Sequence, residues 1–174
     1  MKTLLSTAAR LFAVCCMGLT TVGAQAFELR GFRGVSWGEG AEALGAATVV
    51  QTVGDATCYL RERENMLFGD IALNAVRYCF HQDRLFAVTL DAPVPPKTFI
   101  ADFARSYGAP NARRGQAASW GTKASGTRAD LAASGDETTR LTIYSSKIEP
   151  GLAQRIHKLS PPQMPSNVSV GGAH

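Results

Sequence analysis

The segment that most constrains the fold of this chain is residues 75–91, AVRYCFHQDRLFAVTLD. Its first arm alternates two sets of side chains, Val76, Tyr78 and Phe80 with Ala75, Arg77 and Cys79. A period of two indicates a half-buried strand, and the polar connection HQDR (81–84) has the length of a hairpin turn. With TCYLRE (57–62) as a further strand, the sequence predicts an antiparallel meander over residues 57–91.

The first 26 residues have the pattern of a secretory signal peptide. Lys2 and Arg10 precede the apolar run LFAVCCMGL (11–19), and AQA (24–26) fits the small-x-small motif of a cleavage site. The run is too short for a membrane anchor, which needs about 20 apolar residues. We therefore expect cleavage after Ala26, a periplasmic or secreted mature protein, and no transmembrane anchor after processing.

Two cysteines, Cys58 and Cys79, remain in the mature chain. Export to an oxidising compartment favours a disulfide between them over a metal or redox site. Both are predicted on strands of one sheet, so a bond is plausible, although the sequence leaves free core thiols as an alternative. A catalytic dithiol is disfavoured because the chain has no C-x-x-C motif.

The mature chain has the length of one ordinary domain. Without Lys2 and Arg10 it carries 16 basic and 14 acidic side chains, a net charge of +2, with no basic stripe. Nucleic acid is therefore not an expected partner. We predict a single domain at 27–159, with halves at 27–92 and 93–149. The Pro-, Ser- and Gly-rich stretch 160–174 is predicted to be a disordered tail.

Each half shows a helical pattern followed by strand patterns. EGAEALGA (39–46) predicts a short helix that Gly45 ends as a left-handed cap. In the second half, Phe99, Phe103 and Tyr107 recur every four residues and predict a helix from Pro96 to Gly108. PGLAQRIHKL (150–159) predicts a final short amphipathic helix.

The remaining strand patterns complete the predicted fold class. They are FELRGFRGVSW (27–37) in the first half and AASWGT (117–122), TRADLAA (127–133) and RLTIYSS (140–146) in the second. The order of elements predicts an α+β fold with an antiparallel sheet and helices packed on one face. It also indicates two tandem helix-then-strands repeats.

Catalytic, cofactor and metal motifs are not found in the sequence. There is no G-x-S-x-G elbow, and GEGAEALG (38–45) lacks both the P-loop lysine and the dinucleotide spacing. The three histidines, His81, His157 and His174, stand too far apart to form a ligand motif. Glu62, Glu64 and Asp70 offer paired carboxylates, but a solvated turn explains them better. We therefore expect no catalytic, cofactor-binding or metal-binding residues and no cofactor.

Trp37 and Trp120 each precede a glycine, in SWGEG and SWGTK. An aromatic ring at such a position either forms a stacking platform for a ligand or closes the core where the chain turns away. We favour packing in the core, at corresponding places in the two halves.

Four stretches together resemble a family of small exported bacterial proteins that open with F-R-G-(I/V)-x-W-G. They are FRGVSWGEGAEALG, VRYCFHQDRLFAVTL, FARSYGAP and LTIYSS, and the likeness spans residues 31–146. This family has no assigned activity, so the resemblance implies a fold only.

More loosely, the order of elements resembles the two-layer module of β-lactamase-inhibitory proteins and of small lipoproteins of outer-membrane assembly. Those proteins bind other proteins through a sheet face without catalysis. Cys15 and Cys16 lie in a poor context for lipidation, so this chain departs from the lipoproteins.

Two functional hypotheses follow. The first is an exported, non-catalytic protein that binds another envelope protein or an envelope component. The alternative is a small-ligand-binding protein or hydrolase whose site is assembled from residues distant in sequence. An exposed apolar surface of the sheet would favour the first, and a cleft with convergent carboxylates or histidine would favour the second.

Overall fold

A computed structural model describes residues 27–122, 124–135 and 137–159. The predicted signal peptide and the predicted disordered tail lie outside these residues. The strands are β1 (Gly31–Phe32), β2 (Val35–Ser36), β3 (Ala47–Val53), β4 (Ala56–Arg61), β5 (Leu67–Phe68), β6 (Ile71–Ala72), β7 (Ala75–His81), β8 (Arg84–Ala92), β9 (Ala112–Arg114), β10 (Ala117–Trp120), β11 (Thr127–Gly135) and β12 (Thr138–Ser145). The helices are a 3-10 helix (Ala41–Leu44), α1 (Pro96–Tyr107) and α2 (Pro150–Lys158).

Eight of these strands form one antiparallel sheet in the order β3-β4-β7-β8-β12-β11-β10-β9. The first half of the chain supplies four neighbouring strands, and the second half supplies the other four in reverse order. The two halves meet where β8 pairs with β12, with Leu90 opposite Leu141 and Val88 opposite Ile143. The chain is therefore an α+β protein built on a large antiparallel sheet.

The expectation that the helices pack on one face of the sheet is wrong. α1 buries Phe99 and Phe103 in a cluster that includes Val88, whereas α2 buries Ile156 in a second cluster that includes Ala87. Successive residues of a strand point to opposite faces, so the two helices contribute to separate clusters on opposite sides. We call these sides the α1 face and the α2 face.

The predicted disulfide is present. Cys58 on β4 lies directly opposite Cys79 on β7, with 4.0 Å between their Cα atoms, and the two sulfurs are bonded. Both residues are fully buried in the cluster that also holds Leu152 and Ile156 of α2. The bond therefore joins neighbouring strands beneath a helix.

We predict that replacing both cysteines by alanine lowers the free energy of unfolding by about 2–5 kcal/mol, because the cross-link restricts the unfolded chain. Urea unfolding of the oxidised parent and of the Cys58→Ala, Cys79→Ala variant measures the difference. The reduced parent is the matched control, and it is expected to unfold close to the variant. Equal stability of all three forms would contradict the prediction.

The predicted hairpin at 75–91 is confirmed, and its turn contains only two residues. Gln82 and Asp83 have φ values of 48° and 55°, which are the positive angles that a two-residue type I′ turn requires. Such a turn fits the right-handed twist of the flanking strands. It fixes the pairing of Phe80 with Leu85, and a bulge between Cys79 and Phe80 then shifts the register so that Tyr78 faces Val88.

Some local elements differ from the sequence prediction. The stretch 27–37 does not form one strand, since Arg33 (φ 46°) and Gly34 (φ 85°) reverse the chain between β1 and β2. The short helix is a single 3-10 turn whose closing Gly45 donates its N–H to the carbonyl of Glu42. The strands β3, β5, β6 and β9 were not predicted.

Neither α-helix of the described part of the chain is long and apolar enough to cross a bilayer.

Candidate functional site

A cleft opens beside α2 on the α2 face of the sheet. The helix contacts β8 and β12, and next to it lies a cavity of about 480 Å³ against β9, β10 and β11. The polar residues that line it are Arg113, Arg114, Ser119, Asp130 and His157, of which Arg113, opposite Ala118, has its side chain on the α1 side. Its apolar lining consists of three alanines and Leu131. We call this cavity the α2 cleft.

The sheet register places three polar side chains of the α2 face in one row. Ser119 on β10 lies opposite Asp130 on β11, which in turn lies opposite Thr142 on β12. Directly opposed residues have Cβ atoms about 5 Å apart and share a face. His157 reaches the row from α2, with its Nδ1 2.9 Å from the hydroxyl oxygen of Thr142. Residues from three strands and one helix therefore converge here.

The negative charge of Asp130 is stabilised by a hydrogen bond and by a nearby arginine. The Tyr144 hydroxyl donates to Asp130 Oδ2 at 2.8 Å, and Arg128 Nη2 lies 3.9 Å from Oδ1. Burial and the Asp130 carboxylate together raise the pKa of Tyr144 to about 12. Tyr144 thus remains a hydrogen-bond donor at physiological pH, and it holds the carboxylate on its side of the cleft.

His157 is the titratable group that links α2 to the row. Burial lowers its pKa from the usual value of 6.5, with positive charges on Arg140 and Lys158 acting in the same direction and Asp130 and Asp91 opposing. The imidazole is therefore neutral at pH 7. A neutral ring can sit close to two cations, whereas a protonated one would be repelled by them.

We predict that the protein loses stability as the pH falls below about 6.5, with His157 contributing up to about 1.4 kcal/mol per pH unit. The folded pKa lies below the unfolded one, so the unfolded chain binds more protons in this range. The contribution is complete above the unfolded pKa and is lost as the pH falls through the folded pKa.

Urea unfolding of the parent and of His157→Gln tests this. The measurements run from about pH 7.5 to about pH 5, a range that spans the usual histidine pKa. The glutamine variant retains a hydrogen-bonding group for Thr142 but does not titrate. It should lose less stability than the parent over this range. An identical pH dependence for both proteins would contradict the assignment.

The α2 cleft brings a serine, an aspartate and a histidine together without forming a catalytic relay. Such a relay needs the imidazole bonded to both the nucleophile and the carboxylate. The contact of His157 Nδ1 in the described residues is Thr142, and Asp130 is engaged by Tyr144 and Arg128. No local motif predicts this convergence, because its residues come from separate strands and a helix.

A second polar cluster is buried near the end of α2. Asp91 accepts from Arg140 Nε at 2.7 Å and pairs with Arg77, whose Nε donates to Thr89 at 3.1 Å. Arg140 also donates to the carbonyl of Leu159. Burial lowers the pKa of Arg77, opposed by Asp91. One carboxylate therefore balances two buried guanidinium groups, and the cluster ties the end of α2 to the sheet.

The three carboxylates considered in the sequence do not form an acid pair. Glu62 and Asp70 are exposed, and Asp70 lies 3.4 Å from Arg105. The solvated-turn interpretation is wrong for Glu64, whose side chain is only 5% exposed. It bonds to Arg33 and to the Tyr78 hydroxyl, both at 2.7 Å. These contacts fix the loop after β4 against the β1–β2 hairpin.

The two tryptophans occupy different environments. Trp120, at the end of β10, is fully buried, donates its indole N–H to the Gly108 carbonyl at 2.8 Å, and lies 4.5 Å from the Phe103 ring. Trp37 is half-buried, packs against the same cluster and donates to the Leu29 carbonyl at 2.7 Å. Trp37 precedes the 3-10 helix, whereas Trp120 follows α1, so their places in the two halves do not correspond.

The fold defines an α+β protein with one eight-stranded antiparallel sheet, a buried disulfide and a polar cleft on one face. Within the described residues, no three His, Cys, Asp or Glu side chains lie together as metal ligands. Comparison of the chain with protein families, curated proteins and solved structures finds no match. The resemblances noted in the sequence therefore stay predictions.

Proposed function

We propose that this is a non-catalytic, exported protein that binds an extended segment of another protein by adding it to the edge strand β3. The observation that carries the proposal is the position of β3 at the edge of the sheet, with no further strand paired to it within the described residues. β3 is the terminal strand of the sheet, and β-strand addition is a common way for proteins to bind extended peptides.

The composition of β3 suits strand addition. Its sequence, ATVVQTV, contains five β-branched residues and neither charged residues nor proline. Val49 is 53% exposed, among the largest exposures of an apolar side chain in the described residues. A strand of this kind at an edge is normally protected by charge, proline or a covering element, because its free N–H and C=O groups pair readily with other chains.

The opposite edge of the same sheet shows such protection. β9 has only three residues, all exposed, and two of them are Arg113 and Arg114. β3 has a single irregularity, a bulge between Val49 and Gln51, which bends the strand locally. One edge of the sheet is thus short and charged, and the other is long and uncharged.

An exported setting is part of the proposal. The Cys58–Cys79 bond joins β4, the strand paired with β3, to β7, and such bonds persist mainly in oxidising compartments. A bond at this place supports the strand to which β3 is paired. The bound segment would then pair with β3, whose neighbour β4 is cross-linked to β7.

Site-specific photocrosslinking in the native cell envelope tests the proposal. A photoreactive residue at Thr48 or Thr52, both exposed on β3, should give an adduct with one defined protein. The same residue at Ala112 on β9 should not. Val49→Lys should abolish the adduct while leaving the urea midpoint unchanged, because it adds charge at an exposed position. Ala112→Lys is the matched control, and it should leave the adduct intact.

The captured protein, once purified, should protect β3 amides from hydrogen exchange when it binds, and leave β9 amides unchanged. Protection at β9 instead of β3, or equal adducts from both edges, would refute strand addition. An adduct consisting of two copies of this chain would also refute the proposal, since it would make β3 a self-association edge.

The alternative, a small-ligand-binding protein or hydrolase, is favoured by one observation. The α2 cleft gathers Ser119, Asp130 and His157 around one cavity. The hydrogen bonds of Asp130 and His157 are made to Tyr144 and Thr142, so the arrangement supports binding better than proton transfer.

A further inference from the structure

The α2 cleft carries positive charge at one wall and a single, compensated carboxylate at the other. Arg114 lies opposite Ala117, on the same face as Ser119, and it is exposed at the β9 edge of the cleft; Arg113 lies opposite Ala118 and therefore points to the α1 side. Asp130 is balanced by Arg128 and by the Tyr144 hydroxyl. His157 is neutral at pH 7 because its pKa is lowered. The cleft as a whole therefore favours a negatively charged group beside Arg114.

We propose that the α2 cleft binds a small organic carboxylate that also carries a hydroxyl or amino group. Arginine presents planar N–H donors that match the two oxygens of a carboxylate, and such charge-assisted bonds are among the strongest in proteins. The hydroxyl or amino group would donate to Asp130 on the opposite wall. This inference does not depend on the β3 edge.

The dimensions of the cleft fit a ligand of this size. Its volume of about 480 Å³ lies within the range of about 300–1,000 Å³ that small-molecule sites occupy. β9 and β11 are separated by β10, so the backbones that carry Arg114 and Asp130 lie roughly 10 Å apart across the strands. Because the arginine side chain itself extends toward the cleft, the remaining span suits a molecule of a few carbon atoms.

The base of the cleft, between its charged walls, is lined by apolar residues. Ala112 and Ala117, on the same face as Ser119, line the cavity between the polar walls. Short side chains on β9 and β10 leave space above the sheet, and a bulkier residue there would fill it. Ser119 adds a hydroxyl that can donate to the carboxylate or accept from the second group.

NMR titration of the folded protein with defined probes tests the inference. L-lactate and L-alanine carry a carboxylate with a hydroxyl or amino group, propionate carries the carboxylate only, and inorganic phosphate is a different anion. Lactate or alanine should produce saturable shifts of the Ser119, Asp130 and His157 amides. The amides of Phe99 and Phe103 on α1, across the sheet, should not move.

Two variants test separately how the arginine wall and the Asp130 wall contribute to ligand affinity. Arg114→Ala should raise the Kd of lactate or alanine by about tenfold or more, as expected for loss of a charge-assisted bond, whereas Arg113→Ala, on the other face of β9, should not. Asp130→Asn should weaken lactate or alanine but leave propionate unchanged. Lys97→Ala on α1, exposed on the other side of the sheet, is the control and should leave every Kd unchanged.

Three results would overturn the inference. They are the absence of saturable shifts with lactate and alanine, binding of inorganic phosphate as tight as that of the carboxylates, and an equal loss of affinity in the Lys97→Ala control. None of these results bears on strand addition at β3, which is tested by crosslinking, so failure of one proposal remains distinguishable from failure of the other.

Discussion

Replacing Asp91 by asparagine will lower the free energy of unfolding by about 3–5 kcal/mol, the usual cost of leaving a buried charge without its partner. Asp91 is the acidic partner of both Arg77 and Arg140, and all three residues are buried. Asparagine has nearly the same shape but no charge. Two guanidinium groups would then remain in the interior without a counter-charge.

Urea unfolding measures this loss, and Asp70→Asn is the matched control. The side chain of Asp70 is 90% exposed and its partner is the exposed Arg105, so its replacement should change stability by less than about 0.5 kcal/mol. A loss below about 1 kcal/mol for Asp91→Asn would show that the cluster is not desolvated as described.

A further variant separates charge from packing. Arg77→Met, Asp91→Leu and Arg140→Met together remove all charges of the cluster. Replacement of a buried ionic group by apolar residues of similar volume is often neutral or stabilising. The triple variant should therefore be more stable than Asp91→Asn alone. If it is less stable, loss of the bond from Arg140 to the Leu159 carbonyl outweighs the relief of buried charge.

Trp120→Ala will lower the free energy of unfolding by about 3–5 kcal/mol. The ring is fully buried, packs against Phe103 of α1 and donates its N–H to the Gly108 carbonyl where α1 ends. Its removal would create a cavity between the sheet and α1 and leave that carbonyl without its donor. Chemical denaturation of the variant measures the loss.

Trp37→Ala is the informative comparison, because Trp37 is only half-buried. We expect a smaller loss than for Trp120→Ala. Indole fluorescence of the two single-tryptophan proteins should place Trp120 in the more apolar environment. Equal losses, or a change within about 0.5 kcal/mol for Trp120→Ala, would contradict the core position of the Trp120 ring.

The elements with strong local periodicity were predictable from the sequence. The β7–β8 hairpin follows from two apolar strand patterns around a polar turn, and α1 follows from aromatic residues at a four-residue spacing. The disulfide followed from the compartment and from placing both cysteines on strands. For the hairpin and for α1 the signal lies within a short window of the chain.

The cleft and the arrangement of the helices were not predictable, because they depend on pairing between distant strands. Asp130 and Thr142 become neighbours only through the β11–β12 register, and His157 joins them only when α2 packs on the sheet. The prediction from the alternation that β7 is half-buried is wrong, because residues on both sides of β7 and β8 are buried. That double burial is what a helix on each face requires.

Because β8 pairs with β12, part of the sheet cannot form until the last strand has been synthesised. β8 belongs to the half of the chain that leaves the ribosome first. One of its neighbours in the sheet, β12, is the last strand in the sequence. Until β12 is synthesised, a nine-residue strand that is buried at all but its first position has one side unpaired. Long apolar strand edges of this kind aggregate readily. The newly made chain is therefore most vulnerable while its second half is incomplete, and a truncation before Thr138 would make that state permanent.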